Sequence, residues 1–371
     1  MLYRVKNFIL LAIAASAFVF CSKEEGADVV KGEIEVRVSN ETAQPLAGIE
    51  IQLFLKSAPL NKLASVVSDG EGKVTFSELD AGLYGVKSVN ADWIPAEEKV
   101  SLLSGQKAKT ILQLSKPFEK LTILNYNVLQ GFENNQEKKD RFIAWVKKIN
   151  PDIILFQELN YFKESTLVAF TEQFGHPYAV MTKESGYPTG ISSRFPIRGV
   201  DRILQGLTHG YVVASVKDLT LFSIHLSPSS LSDRISEMNI ILKREEQLPD
   251  DALTLISGDF NSYSQYDKDM YGPNFEADML ARNKNVPVDF TATNAIISAG
   301  FSDTQAIFNS PFKRTIPTAK YLTPGIAGAR YDYVYINNNL SQYCKSSEII
   351  HDPVTDELSD HYPVLITVSR K

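Results

Sequence analysis

Leu253-Thr254-Leu255-Ile256-Ser257-Gly258-Asp259-Phe260-Asn261 turns from apolar to polar within a single short run. A brief apolar run bounded by glycine reads as a buried strand, and this one ends on an acid. The same grammar recurs along the chain. Leu121 to Asn125 leads into Tyr126-Asn127, Asp152 to Phe156 into Gln157-Glu158, and Leu219 to Ile224 into His225. Two later strands, Tyr333 to Ile336 and Pro363 to Val368, follow Arg330-Tyr331-Asp332 and Ser359-Asp360-His361. Helical periodicity separates them. Gln136 to Ile149 puts Phe142, Trp145, Val146 and Ile149 on one face and stops at Asn150-Pro151. Leu167, Phe170 and Phe174 mark another helix, and Ser232 is read as the cap of one carrying Ile235, Met238, Ile241 and Leu242. Alternating strands and helices give an α/β class over residues 119–371. Polar residues just past strand ends are where open α/β sheets usually carry their sites.

Upstream, over residues 31–116, the period changes to two. Gly32-Glu33-Ile34-Glu35-Val36-Arg37-Val38 and Gly48-Ile49-Glu50-Ile51-Gln52-Leu53 alternate polar and apolar residues, as half-buried strands do. Turns at Asp69-Gly70-Glu71-Gly72 and Ala81-Gly82 separate further short strands, which implies a small all-β sandwich. Pro45-Leu46-Ala47-Gly48, Ser68 to Gly72 and Leu79 to Tyr84 make this segment resemble carboxypeptidase-regulatory-like domains. It carries no acid–histidine cluster. The plain reading is a spacer; the sharper one is a surface for a glycan or protein partner, with Trp93 as a sugar platform.

The N-terminus reads as an address. Arg4 and Lys6 precede the apolar run Phe8 to Phe20, which is followed by Cys21-Ser22-Lys23-Glu24-Glu25. Such a run is short for a membrane span and suits a secretory signal. It resembles a bacterial lipoprotein signal over residues 1–20, with Cys21 acylated and residues 21–30 as a linker. Cys-Ser-Lys-Glu-Glu is also similar to the export signal of Bacteroidetes surface lipoproteins. Phe20 departs from that pattern, standing where a small residue is usual. The resemblance implies an extracytoplasmic protein held to outer-membrane lipid at the cell surface.

Composition narrows the chemistry. Of 371 residues 44% are hydrophobic, and the net charge is −6. From Glu119 on there are 25 basic and 30 acidic residues, a net −5, so no basic domain is masked by an acidic tail. That argues against a preference for long duplex DNA, which demands basic surfaces. Two cysteines, Cys21 and Cys344, make neither a disulfide framework nor a zinc site.

The strand-end residues form one inventory. Glu158 and Asp360 offer hard carboxylate oxygens, which favour Mg²⁺, Mn²⁺ or Ca²⁺ over zinc. Asp259 is placed to take a proton from water, and Asn261 to donate to a phosphoryl oxygen. Asp332 can orient His361 and favour its charged form. Asn127 offers an amide, and His225 closes its own strand. Alone, each fits a bland role: a solvated turn acid or a structural histidine. Arg234 and Glu237, three apart on a helix, read as a structural pair. His209 is a candidate for the cleft lining, and Asp303 reads as a brace for a loop or for the His225 side rather than a metal ligand. The insertion Ser262 to Pro287, with Tyr263, Tyr266, Tyr271 and Phe275, is placed to shape substrate choice.

In this order the segments, with Thr189 to Ile197, Phe301-Ser302-Asp303-Thr304 and His361-Tyr362-Pro363-Val364, resemble the endonuclease/exonuclease/phosphatase superfamily over Leu121 to Val368. The resemblance implies a four-layer sandwich, two packed mixed β-sheets flanked by helices. It implies a hydrolase of phosphate esters in which Glu158 holds a divalent ion with Asp360 or Asn127. Asp259 then activates or orients water, Asn261 steadies the phosphate, and His361, held by Asp332, binds a phosphoryl oxygen or assists proton transfer. His225 stands where some members use histidine as the leaving-group acid and others tyrosine. A phosphodiester is the favoured substrate; the alternative is a surface binding or adhesion lipoprotein that has lost catalysis.

Overall fold

The computed structural model describes residues 30–270, 288–323 and 328–371. The signal segment and Cys21 lie outside them, as do Tyr271 and Phe275 of the insertion. Among the described residues no helix is long and apolar enough to cross a membrane. Backbone contacts divide the described residues into two compact units, one of residues 30–38, 47–88 and 97–112, the other of 39–46, 89–96 and those from 113 on.

The N-terminal region is all β. Its strands are β1 (Gly32–Asn40), β2 (Glu50–Leu55), β3 (Lys62–Val67), β4 (Lys73–Leu79), β5 (Gly82–Val89), β6 (Glu97–Leu102) and β7 (Lys107–Leu114). They form a sheet ordered β4-β1-β7 and another ordered β3-β2-β5-β6. Alternation works as the sequence implies: Ile34, Val36 and Val38 of β1 are buried, as are Ile51 and Leu53 of β2.

The larger unit holds two six-stranded mixed sheets. The first contains β8 (Lys120–Asn127), β9 (Ile153–Gln157), β10 (Tyr178–Met181), β11 (Gly190–Ser193), β18 (Cys344–Ile349) and β19 (Val364–Ser369), in the order β10-β11-β9-β8-β19-β18. The second contains β12 (Ile197–Ile203), β13 (Tyr211–Val216), β14 (Leu219–His225), β15 (Leu253–Asp259), β16 (Phe301–Asp303) and β17 (Asp332–Asn337), in the order β12-β13-β14-β15-β17-β16. One core cluster joins Leu121, Ile123, Ile153 and Leu155 of the first sheet to Leu219, Leu221, Leu255 and Val334 of the second. The outer faces pack on helices. Leu124, Tyr126 and Phe156 meet Phe142 and Trp145 of α1 (Gln136–Ile149) and Leu167 of α2 (Glu164–Glu172). Phe222, Ile224 and Ile256 meet Met238 and Ile241 of α3 (Leu231–Glu245) and Ile296 of α4 (Thr291–Ser298). The result is the four-layer α/β sandwich.

Strand parity explains where the polar residues go. On β8 the odd positions, Leu121 and Ile123, face the other sheet, so Asn125 and Asn127 face it too. The same parity carries Ser223 and His225 inward after Leu219 and Leu221, and Ser257 and Asp259 after Leu255. Apolar residues fill the middle of the inter-sheet space and polar ones collect at one end. Register aligns that end: Asn127 pairs with Gln157, His225 with Asp259, and Asp259 with Asp332. Gly258 lets β14 and β15 come this close, because a Cβ there would lie 1.9 Å from the Ile224 carbonyl oxygen.

Some local expectations need correction. Ser230, not Ser232, caps α3 by accepting from the Asp233 amide at 3.2 Å. Phe174 lies beyond the end of α2, though it still packs in the same cluster as Leu167 and Phe170. Arg234 and Glu237 do not work as a mutual pair: Glu237 accepts from the Thr208 and Ser227 amides at 2.6 and 2.7 Å, while Arg234 donates to the Ser227 carbonyl at 3.1 Å.

Candidate active site

Asp259 sits at the centre of the polar end, 2% exposed. Its Oδ1 accepts from the Asn261 amide at 2.8 Å. Its Oδ2 accepts from Asn127 Nδ2 at 3.1 Å, a bond that spans the two sheets. Two imidazole nitrogens face the same oxygen, His361 Nε2 and His225 Nε2, each at 3.6 Å. Burial pushes the Asp259 carboxyl up to about 7; the charge on His361 opposes the rise and that on Asp332 adds to it.

His361 has a carboxylate behind it. Its Nδ1 lies 2.7 Å from Asp332 Oδ2, so Nδ1 carries the proton there. Burial alone would depress this imidazole, but Asp332 and Asp259 overcome it and hold the group well above its ordinary value. Thr315 fixes Asp332 in turn, its Oγ1 accepting from the Tyr331 and Asp332 amides at 2.9 and 3.1 Å. Ser359 locks the neighbouring loop. Its hydroxyl donates to the Asn127 carbonyl at 2.7 Å, and its own carbonyl accepts from Thr318 Oγ1 at 2.6 Å. Ser359 was visible only as the start of Ser359-Asp360-His361, and nothing in the sequence pattern marked Thr315 or Thr318; their partners are distant in the chain.

His225 has no such partner. Its Nδ1 is buried without a hydrogen bond. The ring instead stacks on His209, with centroids 4.3 Å apart and planes at 28°. Burial, reinforced by His209, His361 and Lys183, holds His225 well below the usual imidazole range, so it is neutral. Burial likewise lowers His209 to about 4. His209 therefore does join the cleft, as one of the neighbours of His225.

Glu158 stands on the first sheet's side. Asn127 Nδ2 donates to its Oε1 at 3.2 Å and the Gln130 amide to its Oε2 at 2.9 Å. Its backbone is left-handed, with φ of +60°, an uncommon conformation for a residue with a side chain. Burial raises its carboxyl, and the charge of Asp360 pushes the same way. Asp360 is half-buried, its Oδ1 3.9 Å from His361 Nε2. Two half-buried carboxylates that repel each other are a hard donor set that a divalent cation would relieve, whereas Asn127 turns its Nδ2 to Glu158 and Asp259 and its Oδ1 to the Leu129 amide, 3.1 Å away. A second group also meets metal-ligand spacing: Asp259, Asp332 and His361 offer ligand atoms all within 4.8 Å of one another. The carboxylate–imidazole bond inside that group already uses one ligand atom from each of Asp332 and His361.

Asn261 lies beside Asp259, its Nδ2 donating to the Leu226 carbonyl at 3.0 Å, so one amide proton is committed and one is left to donate. Asp303 braces as expected, through Arg330. That guanidinium meets Asp303 Oδ2 at 2.5 Å and Asp267 Oδ2 at 2.9 Å, all three buried. Of the insertion, Tyr263 packs edge-on against Tyr331 and accepts its hydroxyl proton at 2.8 Å. Asn127, Glu158, His225, Asp259, Asn261, Asp332, Asp360 and His361 are thus brought to one end of the sheet pair.

Comparison with known proteins gives this arrangement a place. Residues 124–361, more than half of the chain, match the model of the Endonuclease/Exonuclease/phosphatase family. An AP endonuclease from Archaeoglobus fulgidus superposes with a TM-score of 0.53 at 19% identity, covering 68% of this chain and 100% of that one. TDP2 of D. rerio, in complex with a single-strand DNA product, gives a TM-score of 0.49 at 17% identity over 67% of this chain and 98% of that one. No curated protein matches the sequence. The family match spans every strand-end residue gathered around Asp259, and the chain belongs to the endonuclease/exonuclease/phosphatase family of phosphoester hydrolases.

Proposed function

We propose that the protein is a divalent-metal-dependent phosphodiesterase that works outside the cytoplasm on a lipid anchor. The observation that carries the catalytic part is Asp259. One buried carboxylate oxygen has the Asn127 amide and two imidazole nitrogens around it, and its raised affinity for protons suits a base near neutral pH.

The residues divide the work. Asp259 orients the attacking water and takes its proton. His361, kept cationic by Asp332, neutralises charge on a phosphoryl oxygen, and Asn261 adds its free amide proton there. His225, being neutral, donates a hydrogen bond from Nε2 to an ester oxygen rather than transferring a full proton. Glu158 and Asp360 would hold Mg²⁺ or Mn²⁺, and the Asn127 oxygen would join them only with its amide turned over. When bound, the ion supplies charge neutralisation for the phosphate. Positioning and charge stabilisation carry most of phosphoryl transfer, and this site has the parts for both.

A diester is favoured because the acidic chain offers little to a doubly charged monoester, and phospholipid head groups or single-stranded nucleic acid suit an extracytoplasmic enzyme. Anchoring rests on the sequence alone. Incorporation of labelled palmitate that disappears in Cys21→Ala tests it. The chemistry is tested by hydrolysis of bis(p-nitrophenyl) phosphate beside p-nitrophenyl phosphate, with Mg²⁺ or Mn²⁺ and with EDTA. Diester cleavage abolished by EDTA supports the reading. Cleavage of the monoester alone redirects it to phosphatase substrates, and metal-independent cleavage overturns the metal assignment. Silence on both, with no metal bound, favours the binding-protein alternative.

A further inference from the structure

We propose that His209 is a positioning residue for His225, joined to it by ring stacking and by a shared tie to Glu237. The proposal rests on the hydrolase reading for its effect on rate, though the positioning itself is independent of it.

A catalytic imidazole is ordinarily held through its second nitrogen, by a carboxylate or a carbonyl in the ring plane. His361 follows that rule through Asp332. His225 does not: its Nδ1 is buried and unpartnered, while its Nε2 faces Asp259 at 3.6 Å. What restrains the ring is therefore on its face. His209 lies there at 4.3 Å between centroids, nearly parallel, and Tyr187 closes the column edge-on to His209 at 5.3 Å. Offset stacks of this kind add orientation as well as burial.

The backbone supports the stack from both sides. Glu237 of α3 is 2% exposed, and its two oxygens accept the amides of Thr208 and Ser227. Thr208 precedes His209, and Ser227 lies two residues after His225. A single buried carboxylate thus fixes the spacing of both histidine-bearing segments. Gly210 completes the arrangement. It is left-handed at φ +76°, and a Cβ there would meet Leu204, Ile203 and Thr182 at 2.7 to 3.0 Å, so the chain turns tightly enough to bring His209 over its partner.

The test uses the whole protein with His209→Ala, His209→Phe, His225→Ala and the double alanine variant. His209→Phe keeps a stacking ring without nitrogens. Metal-supported diester hydrolysis should show kcat about two- to tenfold lower in His209→Ala, with KM little changed and most of the loss restored by phenylalanine. In the His225→Ala background, His209→Ala should cost nothing further. Glu237→Gln, which replaces one accepting oxygen by a donor, should lower kcat in the same way. An undiminished loss in the His225→Ala background would mean that His209 touches substrate on its own, and equal rates for wild type and His209→Ala would remove any positioning role. A second readout does not need activity. Imidazole resonances of His225 should shift and broaden in His209→Ala and stay close to wild type in His209→Phe. Unchanged resonances in both variants overturn the proposal even if the protein hydrolyses nothing.

Discussion

Two histidines stand 3.6 Å from the same oxygen of Asp259, and their surroundings are opposite. His361 is backed by the Asp332 carboxylate and is held in its charged form. His225 is backed by another imidazole and is held neutral. Both are buried, so desolvation opposes charge equally in kind. The partner decides the outcome. Another buried histidine extends the series: His176 meets the Ser192 hydroxyl and the Pro151 carbonyl, both at 2.9 Å. These uncharged partners satisfy the ring but do not stabilise a cation, and burial takes it down to about 4. Of the three, only the histidine hydrogen-bonded to a carboxylate is cationic at neutral pH.

The largest effect should come from removing the group the two imidazoles share. Asp259→Ala should lower diester hydrolysis by about 10²- to 10⁴-fold, the span of general-base contributions, measured as kcat/KM with metal saturating. A loss smaller than tenfold would deprive the comparison of its centre.

Next comes the pair that makes one side charged. Asp332→Asn keeps the shape and removes the charge. Hydrogen bonds to charged groups contribute about 1.5–3 kcal/mol, so kcat should fall about 10- to 100-fold. His361 would then lose its proton at lower pH, and the alkaline limb of the pH–rate profile should move down. An unmoved limb would show that Asp332 does not set the charge of His361.

His176 sharpens the comparison through stability. Its folded value of about 4 lies below the ordinary 6.5, so the unfolded chain takes the proton first. Its contribution is present above pH 6.5 and is lost as pH falls toward 4, about 3 kcal/mol in all. Urea unfolding from pH 7 to 4 should steepen this loss in the wild type relative to His176→Gln. Parallel curves would mean that neutral partners tolerate the charge after all.

Much of the site was legible because strands have a period of two and end somewhere. Asn127, His225 and Asp259 each close an apolar run, and their parity with the buried residues before them fixes the face they occupy. Asp360 and His361 were legible from their place just before the last strand. The α/β class followed from the alternation of strands and helices, and the pair of packed sheets from the family resemblance. What stayed hidden depends on contacts between distant segments. Glu237 looked like half of an ion pair on its own helix, because i, i+3 spacing is visible and two amides from other loops are not. His209 was a candidate for the cleft lining, but no periodic signal showed its stack on His225, and Thr315 supports Asp332 from an irregular segment. Capping was off by two residues at Ser230 because both serines suit the role and only backbone geometry separates them.

The most direct test of this account is nitrogen-detected NMR of the histidine rings between pH 5.5 and 8.5. His361 should keep both ring protons at pH 7, while His225 should show one protonated and one bare nitrogen throughout. If the two rings titrate together near the ordinary imidazole value, burial and Asp332 do not set opposite charges across Asp259, and the central contrast is wrong.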